Sequence, residues 1–154
     1  MRLVILVGIA LLLSSCIIDT PPLRSDPTFV LPITSVTASG DDGNIPHNTL
    51  DSDLETRWSS QGAGEWITFE LDGVFEVQEV HISWYRGDTR RASFEVSYSE
   101  DGETWARAYE GTSSGTTLEA ETHDPTNAAA RYVRIIGYGN DQNTWNSITT
   151  VTIR

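Results

Sequence analysis

From Ile33 to the end of the chain, apolar and polar residues alternate in short runs, and no stretch carries the 3.6-residue apolar period of a helix. Successive side chains of a strand point to opposite faces. Each such run therefore has one dry face and one wet face, and it must pair with others to bury the dry one. The runs are 33–38, 66–71, 77–85, 94–98, 105–109, 116–121, 131–136 and 148–154. Between Val77 and Val80 the alternation slips by one, which marks either a bulge or the true start of that strand. Asp101-Gly102 is a strong turn signal, and Gly, Asp and Asn punctuate the other gaps. The pattern predicts an all-β fold of about eight strands, an antiparallel sandwich or barrel. A body of about 120 residues is long enough to enclose a sizeable core. One segment, 39–65, stands apart. It is rich in Ser, Gly, Asp and Asn, with single apolar residues at Ile45, Leu50, Leu54 and Trp58. A loop of that length inside a domain has a function, an internal anchor, or both.

Ahead of the strands, Met1-Arg2 is followed by Leu3 to Leu13, apolar apart from Gly8, and then by Ser14-Ser15-Cys16. The apolar run is too short to span a bilayer and suits the hydrophobic centre of a secretory signal. Leu13-Ser14-Ser15-Cys16 resembles the lipobox of bacterial lipoproteins. The resemblance implies cleavage before Cys16, acylation of that cysteine, and anchoring to a membrane surface without spanning it. Ile17 in place of Asp implies the outer membrane of a bacterial cell envelope. Pro21, Pro22, Pro27 and Pro32 make residues 16–32 a partly extended tether. The expected organisation is a signal peptide over 1–15, the tether over 16–32 and a domain over 33–154.

The chain holds 22 acidic residues against ten arginines and no lysine, for a formal charge of -12. That field disfavours nucleic acid or an anionic lipid surface as a broad partner. Without lysine there is no Schiff-base chemistry and no Walker-type phosphate loop. The single cysteine excludes a disulfide within the chain and a multi-thiolate metal site. Against this background, Trp84-Tyr85-Arg86-Gly87-Asp88-Thr89-Arg90-Arg91 gathers three arginines in six residues. Sugar sites combine an aromatic face with fixed polar groups, and a guanidinium pairs bidentately with a carboxylate. The segment therefore points to a uronate or another anionic sugar, since a local cluster outweighs a screened global charge at short range. Loops at 40–47 and 137–145 complete a candidate rim. The ligand-binding set is His47, Asn44, Tyr85, Arg86, Asp88, Arg90, Arg91 and Asn140. The competing reading is a solvated arginine face that pairs with nearby acids. Trp84 shares the phase of Ile82 and is either core or platform. There is no G-x-S-x-G, no H-E-x-x-H and no glycine-rich loop opening a helix, and no carboxylate pair is singled out. A carbohydrate-active enzyme is therefore the remote reading.

Five segments, in order, resemble the F5/8 type C (discoidin-like) family. They are the stretch from Asn48 through Thr56-Arg57-Trp58-Ser59 to Ser60, the strand Trp66-Ile67-Thr68-Phe69-Glu70-Leu71, the turn from Ser99 to Trp105, the strand from Ala130 to Ile135, and the end from Trp145 to Ile153. The family includes many galactose-binding-like carbohydrate-binding modules, and the closest flavour is that of modules attached to alginate lyases. The resemblance implies a jelly-roll sandwich, a ligand rim that includes the 84–91 hairpin, and core positions for Trp58, Trp66 and Trp105. It also implies a structural Ca2+ held by the Thr49 carbonyl, Asp51, the Asp53 carbonyl and Thr56. Thr150 stands where the family usually has a fifth ligand, a glutamate. Independently, Asp51, Asp53, Glu55 and Thr56 place hard oxygens on one tight turn, the chemistry calcium prefers. The expected function is a non-catalytic envelope lipoprotein that binds an acidic polysaccharide. Because fold does not fix function, binding of an envelope protein is the alternative.

Overall fold

The structure is a computed structural model and describes residues 28–154. The signal, Cys16 and the tether as far as residue 27 lie outside the described residues. Nine strands follow in chain order: β1 (Ile33–Ala38), β2 (Trp58–Gln61), β3 (Glu65–Val77), β4 (Val80–Trp84), β5 (Ala92–Ser99), β6 (Ala106–Thr112), β7 (Glu121–His123), β8 (Ala128–Asn140) and β9 (Trp145–Ile153). They form two antiparallel sheets, ordered β1-β3-β8-β5-β6 and β2-β9-β4-β7. The architecture is the antiparallel sandwich that the alternation called for, in the jelly-roll, galactose-binding-domain-like form that the resemblance implied.

The alternation decides which side chains meet. In the larger sheet, Ile67 on β3 stands opposite Ile135 on β8, which stands opposite Val96 on β5. The next row is Phe69, Val133 and Tyr98. The smaller sheet contributes Val80, Ile82 and Trp84 from β4, with Ile148, Val151 and Ile153 from β9. Each fully buried aliphatic or aromatic side chain contributes about 1.5–3 kcal/mol relative to exposure, so these facing rows supply most of the driving force.

Several expectations change. The slip at Val77 is a strand boundary: β3 ends there, Gln78 and Glu79 bond through their amides to the Arg154 carbonyl, and β4 starts at Val80. Segment 116–121 is a turn rather than a strand; Glu121 accepts from the Ser114 amide and hydroxyl, and pairing begins only at β7. The long loop hides β2, which pairs with β9 from Trp58↔Ile148 to Gln61↔Trp145. Trp58 is buried as expected, but Trp66 and Trp105 are not core residues. Both lie on the outer face of the larger sheet, where the Arg134 guanidinium sits 4.3 Å from one ring centroid and 3.8 Å from the other. In β3 the inward phase belongs to Ile67, Phe69 and Leu71, which turns Trp66 outward. Asp101 fulfils the turn signal: the Thr104 and Glu103 amides and the Ser99 hydroxyl donate to its carboxylate and hold its pKa at about 2.

The domain also begins before Ile33. Leu31 is only 3% exposed, its amide donates to the Ile153 carbonyl at 2.8 Å, and Phe29 packs on the same core. Leu31→Ala should therefore cost about 2–5 kcal/mol of unfolding free energy, whereas Val30→Ala should stay within about 0.5 kcal/mol. Chemical denaturation of the two variants checks this, and equal effects would place Leu31 outside the core.

His123 closes one edge of the core, its ring 4.8 Å from Phe94 and 5.3 Å from Tyr109. Burial holds its pKa below the ordinary 6.5, and the weaker pull of Glu121 and Asp124 does not reverse this. A buried neutral imidazole binds fewer protons than an unfolded one. Its contribution is present above about pH 6.5 and is lost as pH falls through the lower folded value. Urea midpoints should thus decline on the acid side of pH 6.5, and His123→Phe should flatten that part of the profile. An unchanged slope in the variant would refute the assignment.

Candidate functional site

Trp84 is the last inward residue of β4, its ring 4.7 Å from that of Phe94 and tilted by 48°. Strand alternation then puts Tyr85 outside, where its amide donates to the Ser147 carbonyl at 3.2 Å. The chain reverses through Arg86, whose φ of 56° lies in the left-handed region, and Gly87. A Cβ on Gly87 would stand 2.6 Å from the Thr117 carbonyl oxygen, so only glycine fits against the 117–120 turn. The Thr89 and Arg90 amides both return to the Arg86 carbonyl at 3.0 Å. Arg90 Nη2 donates to the Tyr85 carbonyl at 2.7 Å. The left-handed turn and these bonds fix where the hairpin side chains emerge.

They emerge around one ring. The guanidinium carbons of Arg57, Arg90 and Arg86 lie 4.2, 5.4 and 5.6 Å from the Tyr85 ring centroid. Arg57 comes from the residue before β2, and its Nε donates to Ser59 Oγ at 3.0 Å. Ser59 shares a hydrogen bond with Ser147 at 2.9 Å, and its amide donates to the Asn44 carbonyl at 3.2 Å. Among the described residues, none of the three arginines forms an ion pair. Burial, and then the charge of Arg86, push the Arg90 pKa down, and its Nε is buried without a hydrogen-bond partner. The ring face offsets part of the mutual repulsion of the cations. A carboxylate placed among them would remove the rest and accept charge-assisted hydrogen bonds.

The candidates separate clearly. Tyr85, Arg86 and Arg90 form the cluster, and Asp88 lines the hollow beside Tyr85 and Arg86. Asn44 supports it from the neighbouring loop, with Nδ2 donating to Asp42 at 2.8 Å. His47 is exposed on a 3-10 helix, Pro46–Leu50, and makes no hydrogen bond to the cluster among the described residues. Arg91 turns away: its Nε donates to the Ser114 carbonyl at 3.0 Å, and its amide to Asp141 at 3.1 Å. Asn140 spends its side chain on its own loop. Its Nδ2 donates to Asn143 Oδ1 and the Trp145 carbonyl at 2.9 and 2.8 Å, and its Oδ1 accepts from the Gln142 and Asn143 amides. Arg57 went unnoticed in the sequence because it lies 28 positions before Tyr85. The available signal was its place just ahead of Trp58, the buried residue that turns its neighbour outward.

On the turn expected to hold calcium, hydrogen bonds centre on the Thr56 hydroxyl. Thr56 Oγ1 lies 2.8 Å from Asp51 Oδ2, 3.2 Å from the Asp53 carbonyl and 3.4 Å from the Asn48 carbonyl. Among the described residues, no group of three or more His, Cys, Asp or Glu side chains is placed to hold a metal ion. The Thr49 hydroxyl is buried and donates to the Pro46 carbonyl, and the Thr150 hydroxyl donates to Ser83 Oγ at 3.0 Å.

The model of the F5/8 type C domain family matches residues 32–151, nearly the whole described chain. The chain belongs to the F5/8 type C domain family. Among solved structures, it is 47% identical to the CBM32 module of AlyQ, solved in complex with 4,5-unsaturated mannuronic acid. That match covers 82% of this chain and 98% of that one, with a TM-score of 0.80. Against truncated AlyQ, which holds CBM32 and alginate lyase domains, the identity is again 47% but the match covers only 32% of that chain. A pectin-binding carbohydrate-binding module is 31% identical over 80% of this chain and 91% of its own, with a TM-score of 0.76. No curated protein sequence matches. The match to AlyQ falls on the binding module and not on the lyase. This F5/8 type C chain is a non-catalytic carbohydrate-binding module.

Proposed function

We propose that the module binds the carboxylate of a uronic acid unit in an acidic polysaccharide through Arg57, Arg86 and Arg90 around Tyr85. The observation that carries this reading is three guanidiniums on one ring, none of them in an ion pair among the described residues. The mannuronic acid bound by the AlyQ module and the pectin-binding property of the second relative support it. A forked guanidinium matches a carboxylate in plane and offers two parallel donors. Tyr85 gathers the cations, and the Arg90–Tyr85 carbonyl bond holds the fork in place before the ligand arrives.

Replacing Arg86 and Arg90 together with alanine should lower affinity for a mannuronate oligosaccharide by about a hundredfold, taking each lost charge-assisted pair as about tenfold. Wild-type affinity should fall as salt is raised. Calorimetric titration checks both, with circular dichroism to confirm the fold. Unchanged affinity in the folded double variant would overturn the assignment.

We further propose that the Thr49 carbonyl, Asp51, the Asp53 carbonyl and Thr56 hold a calcium ion that ties down the long 39–57 loop. Binding to the folded state alone stabilises it by mass action. Added Ca2+ should raise the melting temperature of the wild type, and Asp51→Asn should abolish the rise. Identical melting with Ca2+ and with chelator would contradict the site.

A further inference from the structure

Beyond the arginine cluster the surface does not close. The hollow beside Tyr85 and Arg86 has a volume of about 360 Å³ and is walled by Leu54 and Leu118. A second hollow of about 570 Å³ also has Leu54 in its lining. Where one ends and the other begins, their linings are chain neighbours: Trp84 then Ser83, Thr149 then Thr150, Leu118 then Glu119. Taken side by side, with Leu54 common to both, the two hollows mark out a groove beside β4 and β9 that reaches from Tyr85 and Arg86 to Val30.

The composition of the groove differs from that of its mouth. The described residues expose six large apolar side chains, and three of them line this groove: Val30 at 49%, Leu54 at 41% and Leu118 at 46%. Its floor carries the hydroxyls of Ser83 and Thr150, bonded to each other at 3.0 Å. Apolar walls over a hydroxyl floor suit a sugar ring, whose faces are C–H and whose rim is O–H. The charges are ordered. Among the described residues, Arg86 is the only cation lining either hollow, while Glu55 and Asp88 line the nearer one and Glu119 the farther one. At separations below the screening length of about 8 Å, such carboxylates disfavour a second anionic unit.

We propose that the groove is a continuation of the binding site and takes neutral sugar units that follow a single uronate held at the arginines. This rests on the reading of the cluster as the carboxylate site. The favoured ligand is then a glycan in which one acidic unit is joined to uncharged ones. The interior of a homopolymer of uronates would place a charge beside each wall carboxylate.

Three ligands decide the matter when titrated against the full chain: free mannuronic acid, a mannuronate tetrasaccharide, and a tetrasaccharide with one terminal uronate followed by neutral hexoses. The neutral extension should bind about tenfold or more tighter than the monosaccharide, and the homouronate should show no comparable gain. Leu54→Ser with Leu118→Ser should bring the ratio of extended to single-unit affinity towards one. Glu55→Gln with Glu119→Gln should let the homouronate recover part of the gain. A neutral extension that adds nothing, or a homouronate that gains as much in the wild type, would overturn the groove proposal. Failure of the carboxylate reading would look different: free mannuronic acid would then bind the Arg86→Ala, Arg90→Ala variant as well as it binds the wild type.

Discussion

The contact between Trp84 and Phe94 joins the two sheets at the ligand end of the sandwich, and the site depends on where it stops β4. Because Trp84 is the last side chain pulled inward, Tyr85 has to leave the core at that point. The reversal that follows is forced into left-handed backbone at Arg86 and into a glycine at position 87, pressed against the 117–120 turn. Core packing thus sets the position of a surface ring to within the tolerance of a buried aromatic pair. The ring in turn collects cations from the hairpin and from the start of β2, elements that share no local sequence. β2 reaches it only because its pairing with β9 carries Ser59 to Ser147, whose carbonyl also receives the Tyr85 amide.

The charge of the proposed site follows from what the other arginines do. Arg107, Arg131 and Arg154 are engaged by glutamates. Arg134 is held between two tryptophans, and Arg91 is bound to a carbonyl. Among the described residues, what remains is the group around Tyr85, a positive spot without an ion pair on a strongly acidic molecule. At long range the net charge repels an anion; within a few ångströms the three guanidiniums prevail, because solvent and salt screen the rest. The module therefore gains little from steering and relies on short-range geometry. That is the regime in which a bidentate fork matters more than a count of charges.

Strand alternation and turn chemistry made most of the sandwich legible, since period-2 burial leaves a direct mark on the sequence. What stayed hidden had no such mark. The four residues of β2, Trp-Ser-Ser-Gln, carry one apolar side chain and become a strand only through β9. For Trp66 the mark was present: the other phase of its run, Ile67, Phe69 and Leu71, is wholly apolar and turns it outward, against the core position that the resemblance implied. At the site, Tyr85, Arg86 and Arg90 were legible from local density of charge. Arg57 joins them through tertiary contact alone. Asn140 and Arg91 have the right chemistry at the right loops, but their hydrogen bonds are used to build those loops.

The central claim is that one ring and its three arginines receive the ligand's carboxylate. The most direct measurement is a nuclear magnetic resonance titration of the protein with mannuronic acid, following arginine side-chain Nε–H and tyrosine ring signals. Arg57, Arg86, Arg90 and Tyr85 should shift together along one binding curve, while Arg131 and Arg134 on the far sheet stay still. Shifts centred on Arg134 and its two tryptophans, or spread evenly over all the arginines, would contradict it.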